Sequence, residues 1–333
     1  MKAITPIIAI IVLLLITISL AAAGWTFLSG YTGSLLSKQI DISGSVCVGG
    51  DRVKIFVKNI GTASISTDEI SVIDKDTGNP ITSGARWGMS EPEKDPSLVL
   101  YYSFDEPGDP QDESLYGNDG TVYGDPVWTP DGKIGGAYHL DGNDDYIIIP
   151  YDTSLTPNEF TVSLWAKSDV DETSAFFRSA GGNGYGYGFA LLQSSGGAAV
   201  LRWGDGTNPD GSISISGNPT SWRHIAGTYD GSTMMLIVNG TYEGEDTTVN
   251  FNYLNTQDAW IGSSSGVEEF DGIIDEVRIY NRTLSSGEIA ALATTSVTIN
   301  PEEVVTMTHT CASLDCHYVI SLGGYTREVT VRC

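Results

Sequence analysis

The chain has 333 residues with 41% hydrophobic side chains, enough for two ordinary domains with packed cores and too apolar for a disordered chain. Its 42 Asp and Glu outnumber 17 Lys and Arg, a net charge of −25, which excludes a nucleic-acid binder because phosphate contacts need clustered cations. The acidity is uneven: residues 99–292 hold 29 acids against 7 bases, a difference of −22, and the rest hold 13 against 10, or −3. Cys47, Cys311, Cys316 and Cys333 all fall outside that stretch, so two counts draw the same acidic module between near-neutral flanks.

No charged side chain occurs between Lys2 and Lys38, and Ile7 to Ala23 is almost wholly apolar. At about 1.5 Å rise per residue, roughly 20 such residues span a bilayer core. The apolar stretch of a secretory signal is shorter, about 7–15 residues, so the run reads better as a retained anchor than as a discarded signal. A short basic head followed by ITPIIAIIVLLLITISLA resembles the class III signal of archaeal type IV pilin-like and archaellin-like proteins. The resemblance implies a leader, residues 1–3, removed by a prepilin peptidase between Ala3 and Ile4, with Pro6 in the first helical turn where a missing N–H costs little. Residues 4–38 would then form a long hydrophobic helix, in the membrane before assembly and packed against copies of itself in a filament afterwards. A plain membrane anchor and a cleaved signal remain the alternatives.

Residues 39–96 and 293–333 read as one small β-domain divided by the acidic module. In DRVKIFVKNIGTASIS, Val53, Ile55 and Val57 alternate before a break at Asn59-Ile60-Gly61, a half-buried strand and a turn. Ile70, Val72 and Ile73 suggest another strand, and VTINPEEVVTMTHTC, HYVISLGG and YTREVTVRC suggest more beyond the module. The VKIFVKNIGT strand resembles that of archaeal pilin-like headpieces, which would make the module a guest in one loop. Four cysteines allow three pairings. The expected one joins Cys47 to Cys333 and Cys311 to Cys316, with zinc held by cysteines and His309 or His317 as the alternative.

Turn signals recur between short alternating strands along residues 97–292, the pattern of an antiparallel β-sandwich. Asn239-Gly240 between apolar runs is the strongest hairpin signal. The order LVLYYSFDE, DESLYGNDGTV, GGAYHLDGNDDYIII, FTVSLWAKS, WRHIAGTYDG, LIVNG, IGSSS and FDGIIDEVRIYNRTLSSGEIAAL is similar to the laminin-G-like (concanavalin A-like lectin/glucanase) jelly roll. The expected fold is therefore mainly β: a long N-terminal α-helix, a small β-rich headpiece and an inserted antiparallel jelly roll.

Candidate sites follow from side-chain chemistry. Arg178, Asn183, Tyr185 and Tyr187 in RSAGGNGYGYGF, with Trp203 and Asp205 in LRWGDG, offer aromatic and polar groups for a ligand, although Tyr185 and Tyr187 share one strand face with Phe189 and suit a core equally. His224, alternating with Trp222, reads as a packed histidine. Asp112 to Gly120 resembles a loop of the jelly-roll family, and with Asp105, Glu106, Asn118 and Asp275 its Asp112 would supply the oxygens of one structural Ca²⁺. Asn239 and Asn281 begin glycosylation sequons. Neighbouring acids occur as expected from composition alone, and no E-x-D-x-E or E-x-D-x-x-E strand is present, so no catalytic residue is assigned. The expected function is adhesion: a subunit of a pilus-like filament at the cell surface, displaying a lectin-like domain for glycans or surface proteins. A structural sheath subunit and a membrane-anchored glycan-active enzyme are the alternatives.

Overall fold

The computed structural model describes residues 38–47, 52–78, 80–81, 86–89, 95–179, 187–206, 211–253, 257–264, 266, 268–294, 298–299, 301–310, 315–322 and 325–332. The chain divides into two compact units, one of residues 1–80, 297–306 and 313–333, the other of residues 81–296 and 307–312.

The smaller unit begins with β1 (Ile40–Cys47) and β2 (Arg52–Asn59), antiparallel partners with a bulge between Ile42 and Gly44. Val53, Ile55 and Val57 are fully buried and the residues between them half-buried, the period of a sheet with one covered face. Asn59 closes β2. Its amide donates to the carbonyls of Ala63 (2.9 Å) and Ile299 (2.8 Å), while its Oδ1 accepts from Gly61 N (2.9 Å). One buried side chain thus joins segments 240 residues apart. The next strands are β3 (Ile65–Ser66) and β4 (Ile70–Asp74).

The larger unit opens with β5 (Arg86–Met89) and β6 (Leu98–Tyr102). Next come β7 (Thr121–Tyr123), β8 (Val127–Thr129), β9 (Ala137–Asp141), β10 (Tyr146–Ile149) and β11 (Phe160–Ser168). They continue with β12 (Ser174–Arg178), β13 (Tyr187–Ser194), β14 (Ala198–Asp205), β15 (Gly211–Ile215) and β16 (Arg223–Tyr229). β17 (Met234–Val238), β18 (Thr241–Asp246), β19 (Ala259–Ile261) and β20 (Asp271–Tyr280) complete the set. One seven-stranded sheet runs β15-β14-β13-β12-β19-β10-β7; an eight-stranded sheet runs β18-β17-β16-β11-β20-β9-β8, with β6 also on β20.

The two sheets share one core. Phe177, Leu191, Leu201 and Ile261 from the first meet Val162, Leu164, Leu236 and Ile274 from the second. Phe160 stacks on Phe189 across it at 3.9 Å between ring centroids, each such ring contributing about 1.5–3 kcal/mol of burial. Gly227 marks a close approach, since a Cβ there would lie 2.8 Å from Leu201 Cδ1. The β17–β18 hairpin turns on Asn239 and Gly240 with φ of 51° and 75°, both left-handed as a two-residue turn of this kind requires.

The short helix α1 (Ser286–Leu292) follows β20. Ser285 caps it and Glu288 returns the bond to the Ser285 N–H, while Leu284 and Ile289 pack on Ala226, Ile237 and Tyr280. Among the described residues no helix is long and apolar enough to cross a membrane. The fold class is corrected accordingly. The described protein is a mainly β, jelly-roll structure with one short helix, and the long helix expected over residues 4–38 lies outside the described residues except for Lys38, which is in a bend. An apolar run fixes a helix only where lipid or other helices cover it, and nothing in the sandwich needs one.

The last strands are β21 (Thr298–Ile299), β22 (Val304–Thr310), β23 (Asp315–Leu322) and β24 (Tyr325–Arg332). β21 pairs with β3, and β23 lies between β4 and β24. Cys47 and Cys316 are both disulfide-bonded; Cys311 and Cys333 lie outside the described residues. His317 faces Asp76 at 2.8 Å.

Candidate ligand-binding face

Strand register places one continuous row of side chains across the outer face of the seven-stranded sheet. Thr121 opposes Ile148, Ile148 opposes Trp260, Trp260 opposes Arg178, Arg178 opposes Ala190, and Ala190 opposes Arg202. The neighbouring positions Val122, Ile147, Ile261, Phe177, Leu191 and Leu201 point inward and belong to or pack on the core. Because side chains alternate, the core's apolar set fixes the row's orientation. Tyr146 and Tyr123, two residues from Ile148 and from Thr121, share the outer face and oppose each other.

These aromatics touch one another. Tyr123 stacks on Tyr146 at 5.2 Å between centroids, and Tyr146 meets Trp260 at 4.9 Å. Tyr146 and Trp260 are half-buried, and Tyr123 keeps 43% of its surface exposed. The result is an apolar strip with polar tips, open to solvent.

Beside the strip stands a compact charged group. Arg178 is only 5% exposed; its Nη1 donates to Ser264 Oγ, and its Nε is buried without an acceptor. Burial pushes its pKa down, Glu268 opposes that shift, and Arg202 adds to it. Arg202 Nη1 lies 3.8 Å from Glu268 Oε1, whereas Glu268 Oε2 is buried without a donor. Glu268 also adopts φ 57°, uncommon for a residue with a Cβ.

The middle of the eight-stranded sheet's outer face is closed instead. Trp165 opposes Asp275 on one side and His224 on the other, and all three are buried. Lys133 lies over the Trp165 ring at 4.7 Å, and Arg278 over Tyr101 at 4.2 Å. Ser163 Oγ, Trp165 Nε1, Thr228 Oγ1 and both ring nitrogens of His224 are buried without hydrogen-bond partners. Burial, then the nearby Arg278, hold the His224 pKa down at about 3, so the ring is neutral.

Of the six residues expected to hold a ligand, four are described, and these four do not come together. Arg178 joins the outer row. Trp203 is 3% exposed, inward-facing and part of the core, a position its alternation with Leu201 dictates. Tyr187 and Asp205 oppose each other at one strand end, where Asp205 accepts from Asn250. Asn183 and Tyr185 lie outside the described residues, as do Ala3 and Ile4. Asn239 and Asn281 are exposed; Asn239 Oδ1 accepts from His224 N at 2.9 Å.

The five expected calcium ligands separate as well. Asp112 Oδ1 accepts from Tyr101 N and Ser114 N, both 2.9 Å, and Oδ2 accepts from Ser114 Oγ (2.6 Å) and Asn118 N (2.8 Å). Four donors fill the lone-pair sites of a carboxylate, so Asp112 serves as a loop staple. Asn118 donates to Val99 O and Ser154 Oγ. Asp105 and Asp275 instead accept from Gly136 N and Ile134 N, holding another loop, and Glu106 is exposed. Among the described residues, the groups with three ligand atoms within 4.8 Å are His139, Asp169 and Asp271, and Asp125, Asp144 and Asp145.

Residues 141–290 match the concanavalin A-like lectin/glucanases superfamily. Over those residues the jelly roll is similar to that superfamily. Domain 4 of AbnA, an extracellular arabinanase of Geobacillus stearothermophilus solved with arabinotriose, aligns at TM-score 0.51 and 25% identity, over 60% of this chain and 98% of that one. The binding domain of Paraclostridial Mosquitocidal Protein 1 aligns at TM-score 0.50 and 18% identity, over 59% and 52%. The receptor binding domain of a botulinum neurotoxin C/D mosaic serotype aligns at TM-score 0.50 and 16% identity, over 59% and 51%. The chain thus spans about half the length of the toxin domains, and the likeness to them is one of fold. No curated protein matches the chain. The fold resembles that of an arabinanase domain solved with arabinotriose and of toxin binding domains.

Proposed function

We propose that this protein is a cell-surface, non-enzymatic glycan binder whose jelly roll takes oligosaccharide on the outer face of the seven-stranded sheet. The observation that carries the reading is the Tyr123–Tyr146–Trp260 strip, a contiguous, solvent-reaching aromatic surface on a rigid sheet with polar groups at its end. Sugar rings present apolar C–H faces that suit such a strip. The likeness to an arabinanase domain solved with arabinotriose points the same way. One carboxylate, Glu268, stands among these residues, whereas glycoside hydrolysis ordinarily needs a pair.

The test is binding of the full chain to an oligosaccharide panel that includes arabinotriose. Trp260→Ala is expected to weaken whatever binds by about tenfold while leaving the fold intact. A variant that binds as tightly as the parent sinks the reading, and steady shortening of a bound chain revives the enzyme. Display on a filament, where repeated copies convert weak binding into avidity, rests on the amino-terminal sequence. Protein from sheared appendages whose first peptide starts at Ile4 supports it, and a start at Met1 or near Gly24 overturns it.

A further inference from the structure

The row does not end at the aromatics, and its charge runs against its surroundings. Residues 99–292 carry 29 acids and 7 bases, yet two of those bases, Arg178 and Arg202, stand two strands apart with the methyl of Ala190 between them. Strand spacing separates their backbones by about 10 Å, and Ala190 between them is buried beside Leu192 and Val200, so the two guanidinium groups flank a closed apolar floor. Among the described residues, Glu268 is the carboxylate in ion-pair contact with Arg202, and Arg178 has no ion pair. Among the described residues two guanidinium groups thus share one carboxylate, which leaves one positive charge in excess on a strongly negative module.

The donors are also under-used. Arg178 has five N–H groups, gives one hydrogen bond to Ser264, and keeps Nε buried without an acceptor. An ionised donor left so poorly matched is costly unless an acceptor completes it. A planar, two-oxygen anion matches the guanidinium fork, and Trp260 is the neighbour of Arg178 on the opposite side from Ala190.

We infer that the preferred ligand is an acidic glycan, with a sugar carboxylate held by the Arg178–Arg202 pair and the adjoining ring stacked on Trp260. The inference rests on the aromatic-strip reading and names its ligand class. The rest of the module repels anions at long range, so a ligand of this kind has to carry few, spaced charges rather than a dense polyanion.

The experiment uses the full chain and paired probes: oligosaccharides ending in glucuronic or sialic acid, and the same compounds with the carboxyl reduced to an alcohol. The acid form is expected to bind at least tenfold more tightly than its reduced partner, with the advantage shrinking as salt rises. Arg202→Gln, at a half-buried position, is expected to abolish most of that preference while retaining weak binding to the reduced form. Because Arg178→Gln falls on a buried residue, the wild-type comparison of acid with reduced probe decides the matter without it. Equal affinity for the two forms, or a preference for 6-sulfated over carboxylated sugars, overturns the inference and leaves the aromatic strip standing. Loss of binding to both forms in Trp260→Ala, beside an unchanged ratio in Arg202→Gln, likewise keeps the strip and removes the carboxylate seat. If Trp260→Ala alters binding to neither form, the strip itself fails.

Discussion

In the middle of the eight-stranded sheet the outward residues Ser163, Trp165, His224 and Thr228 are buried, whereas at the β7–β10–β19 end of the seven-stranded sheet the outward Tyr123, Tyr146 and Trp260 reach solvent. Ala190, Leu192 and Val200, farther along that second face, are buried. Both faces come from the same alternation against the same core. They differ in what is laid over them: Leu284 and the α1 residue Ile289 pack on Ala226 and Ile237 of one sheet, and the Lys133 loop lies over Trp165. An outward position in a jelly roll is therefore a candidate for binding only where no other segment of the chain covers it. The covered face retains buried polar atoms without partners, and the open one retains stacked rings and an incompletely satisfied arginine.

The sharpest way to break this contrast is through His224. Its folded pKa, about 3, lies below the ordinary 6.5, so on acidification the unfolded chain takes the proton first. The stability from burying the neutral ring is full above pH 6.5 and is lost as pH falls towards 3, by up to about 1.4 kcal/mol per pH unit. Urea midpoints of wild type and His224→Phe, compared from pH 7 to pH 4, are expected to diverge with that slope, the variant being the less acid-sensitive. Parallel curves would mean that the face over His224 is open to water, and the two sheets would no longer differ.

A smaller effect lies in the cover itself. Ser285 accepts from the Glu288 N–H, and the Glu288 carboxylate, held at a pKa of about 2 by Arg282 and the Ser285 cap, returns the bond. Ser285→Ala is expected to cost about 1 kcal/mol in thermal unfolding. Hydrogen exchange should quicken at β16 and β17, where the helix is seated, and stay unchanged at β10 and β19. Uniform acceleration would show that α1 supports the whole sandwich rather than one face.

How far the sequence reveals this contrast depends on the distance over which the information acts. The strand at FTVSLWAKS and the Asn239-Gly240 turn are local, and both appear in the structure, although the strand is buried on both faces rather than one. Trp203 is legible too: its parity with Leu201 marks it as core, a stronger signal than the nearness of its indole to Asp205 in LRWGDG. The strip was not legible, because Tyr123, Tyr146 and Trp260 come from β7, β10 and β19 and meet only through cross-strand register. Asp112 shows a different limit. Its loop has the composition of a cation site, but composition does not reveal that backbone N–H groups and one hydroxyl occupy its oxygens.

The smallest expected effect is the most specific to the open face. Tyr123 lies on the edge strand β7, is 43% exposed and touches the row through Tyr146. A cross-strand aromatic pair of this kind contributes roughly 0.2–1 kcal/mol, so Tyr123→Ala should shift the melting temperature by only a few degrees. If Tyr123 is the far end of a sugar platform, the same change weakens longer oligosaccharides by roughly two- to fivefold and leaves disaccharides unaffected. That length dependence separates a platform from a packing role, because a destabilised sheet loses affinity for short and long ligands alike. Equal losses for both lengths would place Tyr123 with the structural aromatics and end the binding face at Tyr146.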